Sequence, residues 1–305
     1  MNDNKKYKKV SIILLNYNTS NDLIECINSL DKIKYPNYEI IIVDNCSSET
    51  EIRKLNSYFE KRMDCIFIKN NENSGFAGGN NLGIKYALDN KTDYILLLNS
   101  DTLVNEDFLN ILVDTAEKDK ENIAMVTGKI LYYPEVNKIW YGGGYIDWKK
   151  FTGKHYGEGE YDNKQYDEIK SITFSSGCLM LINVSLNFDK YLPEEYFMYY
   201  EDVDYCARIL ENGYKIIYNP SAVIYHKIGS SSGGEQSAFT IRWSNRGRYI
   251  FLNKYKNKLP IFKFITIKVK FIVTRIIKII MFYISGEFEK ANSLYKGLKD
   301  AVLKK

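Results

Sequence analysis

Glu201, Asp202 and Asp204 stand directly behind the aromatic run Tyr196-Phe197-Met198-Tyr199-Tyr200. Burying a carboxylate without a partner is costly, whereas aromatic side chains usually lie at least partly inside. Joining the two places acids at the lip of an apolar cleft, where a general base or a holder of metal-bound phosphate would stand. A plainer reading competes. Asp202–Asn212 reads as a short helix followed by Gly213, and acids in a first helical turn are favoured by the helix dipole whatever they do.

A second carboxylate with chemical potential is Asp101, which closes Asn99-Ser100-Asp101 behind an apolar run. One acid suffices for Mg2+ or Mn2+ when a substrate supplies phosphate oxygens. His226 is the other candidate ligand, and imidazole suits Mn2+ better than Mg2+. The only histidines are His155 and His226, and none of the five cysteines forms a C-x-x-C pair, which argues against zinc.

These residues need elements to hold them. Val10–Leu15, Tyr38–Val43, Cys65–Ile68 and Tyr94–Leu98 are short, almost continuously apolar runs that read as strands. Helices are predicted from about Ser20, with Asp22 in the first turn, and from about Asn80 to Leu88. Apolar strands alternating with helices predict an α/β fold with a mostly parallel central sheet covered on both faces. In such sheets ligands bind beyond the carboxyl ends of the strands. There lie Asn16-Tyr17-Asn18, Asp44-Asn45-Cys46-Ser47-Ser48, the stretch Asn70–Asn80 and Asn99-Ser100-Asp101, all polar and turn-forming.

Residues 128–170, rich in Gly, Tyr and Trp, read as hairpins or a flexible loop over that crevice. Ile172–Phe174, Cys178–Ile182, Lys215–Tyr218 and Val223–His226 read as further buried strands. Apolar residues make up 45% of the 305 and charged residues 26%, as in a soluble globular protein. The odd cysteine number and the polar first nine residues predict a reducing cytoplasm without export. Residues 254–305 hold 13 Lys or Arg against 3 acids, leaving 29 basic and 35 acidic residues elsewhere. Only this tail is therefore expected to meet an anionic partner.

Between Ile261 and Ile284 the charges are Lys263, Lys268, Lys270, Arg275 and Lys278. At about 100° per residue they fall within an arc of roughly 160°, leaving an apolar remainder. No uncharged run is long enough to span a bilayer, so an amphipathic helix lying in an anionic leaflet is expected. The alternative is a helix packed on the body with its basic face in solvent.

Taken in order, Val10–Asn18, Val43–Ser47, Asn73–Gly83, Asn99–Asp101, Tyr199–Asp204 and His226 resemble family 2 glycosyltransferases with the GT-A fold, particularly the rhamnosyl- and galactofuranosyltransferase-like branch. The resemblance covers 8–235 as a catalytic domain, with 236–305 as a basic, amphipathic, helical extension. It implies an inverting transferase taking a sugar from dTDP-rhamnose or a UDP-hexose. The acceptor would be a glycan or a polyprenyl-diphosphate-linked chain in cell-surface polysaccharide synthesis. Asp202 matches the catalytic base, with Glu201, Trp140 and Gly177 on the acceptor side. Asp44 matches the acid that reads a pyrimidine; Asn16, Asn18, Asn45, Gly75, Phe76, Gly79, Asn80 and Asn99 match the rest of the donor cradle. Asp101 and His226 match the ligands of Mg2+ or Mn2+. Asn99 departs from the family's D-x-D motif, whose first acid it replaces, which puts the strength of metal binding in question. The implied location is cytoplasmic and peripheral on the inner face of the cell membrane, with no nucleic-acid partner and oligomerisation left open.

Two other classes compete. A non-catalytic nucleotide-sugar-binding scaffold has only Asn99 in its favour. A sugar-nucleotide pyrophosphorylase would need a Gly-rich basic loop after the first strand, and Asn16–Ser20 is neither. Gly75-Phe76-Ala77-Gly78-Gly79 also lacks the spacing of a dinucleotide oxidoreductase.

Overall fold

A computed structural model describes residues 7–60, 62, 65–227 and 236–303. Its first half alternates as predicted: β1 (Val10–Asn16), α1 (Ser20–Leu30), β2 (Tyr38–Asp44), α2 (Glu49–Phe59), β3 (Cys65–Lys69), α3 (Gly75–Asp89) and β4 (Tyr94–Asn99). There follow β5 (Thr102–Val104), α4 (Phe108–Glu117), β6 (Ile123–Tyr132), β7 (Ile139–Tyr141), β8 (Gly144–Asp147), β9 (Thr152–His155), β10 (Lys170–Ile172) and β11 (Leu179–Asn183). Then come α5 (Glu201–Glu211), β12 (Lys215–His226), α6 (Ala238–Lys254), α7 (Ile261–Ile284) and α8 (Phe288–Leu303).

The main sheet runs β10-β12-β6-β11-β4-β1-β2-β3, with β5 paired to β12 and β7 to β6. β3, β2, β1 and β4 are mutually parallel, and β6 is parallel to β12. Ile12, Ile13, Ile41, Ile42, Leu96 and Leu97 are all fully buried, as strands covered on both faces must be. Within the middle of the sheet β11 runs against its neighbours, antiparallel to both β4 and β6. Its N-terminal end, not its C-terminal end, therefore meets the carboxyl edge of β4.

Three expectations change. α3 begins at Gly75 rather than near Asn80. Gly75 takes φ +73, and a Cβ there would lie 2.0 Å from the Phe197 carbonyl oxygen; one at Gly79 would lie 2.4 Å from Leu15. The glycines that resembled a loop are the condition for laying this helix against β1 and the 197 turn. Residues 128–170 begin inside the sheet, since β6 lies between β12 and β11; the hairpin part of the reading holds for β8 and β9.

The third change concerns α7. It packs on the body, but much of its basic arc turns inward: Lys268 donates to Asn253 (2.7 Å) and Arg275 to Asn245 (2.8 Å), both on α6. Phe262, Val269, Val273, Ile276, Ile280 and Ile284 face outward, 47–82% exposed. Lys263, Lys270 and Lys278 stay exposed along its flank. No helix among the described residues is long and apolar enough to cross a membrane.

The division expected at 235 falls on residues 228–235, which lie outside the described residues. α6 belongs to the body: Phe251 and Leu252 are fully buried in the same core as the sheet. Its last residues hold α5, since the buried Asp204 accepts from Lys254 Nζ (2.6 Å) and Tyr255 Oη (2.7 Å). Asp204→Ala leaves Lys254 and Tyr255 facing a vacated anion site. It should lower unfolding free energy by on the order of 3 kcal/mol, read as an earlier urea midpoint, with Asp204→Asn losing less.

Candidate active site

The donor side is built from the ends of β1, β2 and β4. Register pairs Asn16 with Asp44, and Leu15 with both Val43 and Asn99, so three polar termini share one edge. Asp44 is fully buried; its carboxylate accepts from Asn16 Nδ2 (2.8 Å) and from the Ser47 N–H (3.1 Å). Each carboxylate oxygen keeps a lone pair for a further donor. Asn18, at φ +57, accepts from the Ser48 N–H (2.8 Å), which closes the turn beside it.

Asn45 works differently from its neighbours. Its Nδ2 reaches Asn73 Oδ1 and the Gly75 carbonyl (both 3.0 Å), while its Oδ1 takes Asn70 Nδ2 (2.9 Å) and the Ser74 backbone and hydroxyl (3.2 and 3.1 Å). It is a strut that shapes the 70–75 turn rather than an open contact. Asn80 Nδ2 is likewise used, by the Phe76 carbonyl (2.9 Å). Phe76 donates its N–H to the Phe197 carbonyl (2.7 Å), stapling the start of α3 to the turn before α5.

Asp101 and His226 meet because β5 pairs with β12, setting His226 opposite Thr102. His226 Nε2 lies 3.1 Å from Asp101 Oδ1, with both side chains almost fully buried. Adjacent ligands at about 2.1 Å from one octahedral cation lie about 3 Å apart, so this spacing fits a divalent ion held by both. Carboxylate with imidazole suits Mn2+. No group of three or more His, Cys, Asp or Glu forms a metal site among the described residues, so phosphate oxygens or water would complete the shell. Asn99 contributes backbone: its N–H goes to the Cys178 carbonyl (3.1 Å) and its carbonyl to Thr102 Oγ1 (2.7 Å).

The acidic cluster resolves into three different roles. Asp204 is the structural clamp already described. Asp202 sits at the first turn of α5, accepting the Val203 N–H on Oδ1 (2.8 Å) and the Gly177 N–H on Oδ2 (3.3 Å). Burial pushes its carboxyl up to about 6, and those backbone N–H groups only partly offset the desolvation. Glu201 is buried, with Oε2 lacking a hydrogen-bond partner among the described residues. Burial, with the Asp202 charge beside it, raises the Glu201 carboxyl well above its ordinary value.

Gly177 lies just before β11, at the end that the reversed strand brings to the crevice edge. A Cβ on Gly177 would lie 3.1 Å from the Phe76 ring and 3.8 Å from the Asp202 Cβ. Phe76 thus lies over the glycine that also bonds Asp202, which brings the start of α3 close to the first turn of α5. Tyr199 and Tyr200 deliver the chain to α5 with φ of +65 and +78, a left-handed pair costing about 1–3 kcal/mol per residue. Gly247 makes room for them, since a Cβ there would lie 2.7 Å from the Tyr199 carbonyl oxygen.

Trp140 packs between the chain's two histidines, its ring centroid 4.6 Å from that of His226 and 4.8 Å from that of His155. Burial lowers His155 to about 4, keeping it neutral. Sequence reasoning missed Asn73, Asn81 and the Phe197 carbonyl. Asn81 ties α3 to Leu192 in both directions (2.9 and 2.8 Å). Its only signal was a polar residue on the buried side of a helix.

The sequence model of glycosyl transferase family 2 matches residues 11–187, more than half of the chain. The low-salt glycan biosynthesis hexosyltransferase Agl10 of Haloferax volcanii is 24% identical over 82% of this chain and 77% of its own length. The dTDP-rhamnosyl transferase RfbF of Shigella flexneri is 27% identical over 70% of this chain and 68% of its own. Among solved structures, GalNAc-T7 with UDP, GalNAc and Mn2+ superposes with a TM-score of 0.61 at 16% identity. That match covers 84% of this chain and 52% of that one, so this chain spans about half its length. The family model's match over more than half of the chain shows that the chain belongs to the family 2 glycosyltransferases.

Proposed function

We propose that the chain catalyses an inverting transfer of a sugar from dTDP-rhamnose or a UDP-hexose to a glycan or polyprenyl-diphosphate-linked acceptor in cell-surface polysaccharide synthesis. The observation that carries this reading is Asp202: a carboxylate at a helix N-terminus, raised to about 6 by burial, beside a side-chain-free Gly177 and abutting the donor cradle. A base with such a pKa is ionised at neutral pH yet still takes a proton readily.

Asp44, with Asn16 and Asn18 around it, would hold the pyrimidine, and the start of α3 would face the diphosphate. Asp202 would remove the acceptor hydroxyl proton as that oxygen attacks the anomeric carbon. The new C–O bond forms on the face opposite the C–O bond to the diphosphate, which breaks and leaves with its electron pair. Glu201 and Gly177 would line the acceptor side. A divalent cation held by Asp101 and His226 would neutralise charge on the departing diphosphate.

The outward face of α7 supports peripheral attachment to the cytoplasmic side of an anionic membrane. Its apolar stripe would enter the interface, with Lys263, Lys270 and Lys278 along its flank.

Asp202→Asn should lower kcat by about 10²–10⁴ while the dissociation constant for the donor nucleotide changes less than about twofold; retained turnover sinks the base assignment. Folding raises the Asp202 pKa, so its ionisation opposes folding as pH rises through about 6. The same variant should therefore melt at a higher temperature than wild type at pH 8. Wild-type kcat/KM should fall about tenfold per unit below pH 6, and a flat profile from pH 5 to 8 would exclude Asp202 as the titrating base. Val273→Glu with Ile280→Glu, both facing outward, should reduce co-sedimentation with phosphatidylglycerol vesicles at least about tenfold at an unchanged melting temperature. Unaltered partitioning would remove the membrane from the reading.

A further inference from the structure

We infer that Trp140 is a positioning residue for the cation site: its indole, packed edge to face on His226, sets the imidazole orientation. The inference rests on the reading of Asp101 and His226 as that site. A metal-binding histidine usually donates its second ring N–H to a carboxylate or carbonyl, which fixes ring and tautomer together. Here Nε2 faces Asp101, so the metal-holding tautomer carries its proton on Nδ1. Nδ1 is buried and has no hydrogen-bond partner among the described residues. Packing takes over the orienting role that a hydrogen bond ordinarily performs.

The indole is suited to it. Its centroid lies 4.6 Å from the His226 ring at 73° between planes, an edge-to-face contact. It is itself held from the other side by His155, at 4.8 Å and 70°. His155 Nδ1 lies 3.1 Å from the Trp140 carbonyl, which can only accept, so that nitrogen carries the proton and the His155 tautomer is set. The His155 ring also stacks at 18° on Phe174, three residues before Gly177. The backbone of His226 is fixed independently, its carbonyl taking the Tyr133 N–H at 3.0 Å. What remains free at His226 is rotation of the ring, and the indole opposes it. Trp140 is therefore placed by its ring contacts on the metal side of the crevice.

The test measures Mn2+ binding to the full chain without donor, with free Mn2+ counted by electron paramagnetic resonance. His226→Ala calibrates the signal. Trp140→Ala should weaken Mn2+ binding about tenfold or more, and Trp140→Phe, which keeps an aromatic edge, should restore it to within about threefold of wild type. If Trp140→Ala does not fold, Trp140→Leu replaces it with the same expectation. Wild-type Mn2+ affinity in the Ala or Leu variant overturns the proposal, most directly if acceptor KM rises instead. Failure of Phe to restore binding overturns it as well, since the edge-to-face contact would then not be what matters. Wild-type affinity in His226→Ala fails the cation-site reading itself, and is thereby told apart from failure of the positioning role.

Discussion

Asp204 is a carboxylate shut away from water, and Lys254 and Tyr255 are what make that tolerable. An isolated buried charge would be strongly destabilising, so α5 cannot leave α6 without exposing or stranding it. Much of the catalytic architecture hangs on this link. The position of α5 sets where its first turn opens, and therefore where Asp202 stands. α6 holds the strained Tyr199-Tyr200 turn through Gly247, carries Trp243 stacked on Phe197 at 4.4 Å, and supports α7 through Asn245 and Asn253. A helix that the chain reaches only after the sheet is complete thus anchors Asp202.

On the donor side the same economy is achieved with small residues and amides. Gly75, Gly79 and Gly83 lack the side chains that would collide with Phe197, Leu15 and Ile13. That absence lets α3 sit close to β1, with its N-terminus beside Asp44. Asn45 spends all its hydrogen-bonding capacity on the adjacent turn. Buried amides that are fully satisfied rigidify their surroundings, whereas half-satisfied ones would loosen them. The cradle is thereby shaped before any ligand arrives, which reduces the entropy lost on binding.

α7 shows how a pattern can fix which residues share a face without fixing which face the body takes. Its charges do fall in one arc, but several of them face α6. Lys268 and Arg275 find amide partners there, and their charged heads lie over the Phe264 and Phe271 rings. The apolar arc is consequently presented outward. Periodicity states which residues share a face; it does not state which face the body takes, because long basic side chains can bury their stems as well as an isoleucine can.

Most of the sheet was legible because the strands buried on both faces are short, nearly pure runs of Ile, Leu and Val bounded by turn-forming residues, which together favour strand over helix. The order of polar strand ends, from Asn16 through Asp44 to Asp101, was legible for the same reason: strand direction alone puts them on one edge. The chain by itself also determined that Glu201, Asp202 and Asp204 begin a helix. The match to the family motif singled out Asp202 as the expected base, but the chain did not show what each of the three acids would touch. That was decided by partners distant in sequence: Lys254 and Tyr255 for Asp204, Gly177 for Asp202, and none found for Glu201 Oε2 among the described residues. Nor did the chain reveal that β11 runs backwards, that β6 lies inside the sheet, or that Trp140 meets His226. Each depends on strand pairing across tens of residues, and pairing is settled by which apolar faces close over one another, a property of the packed whole.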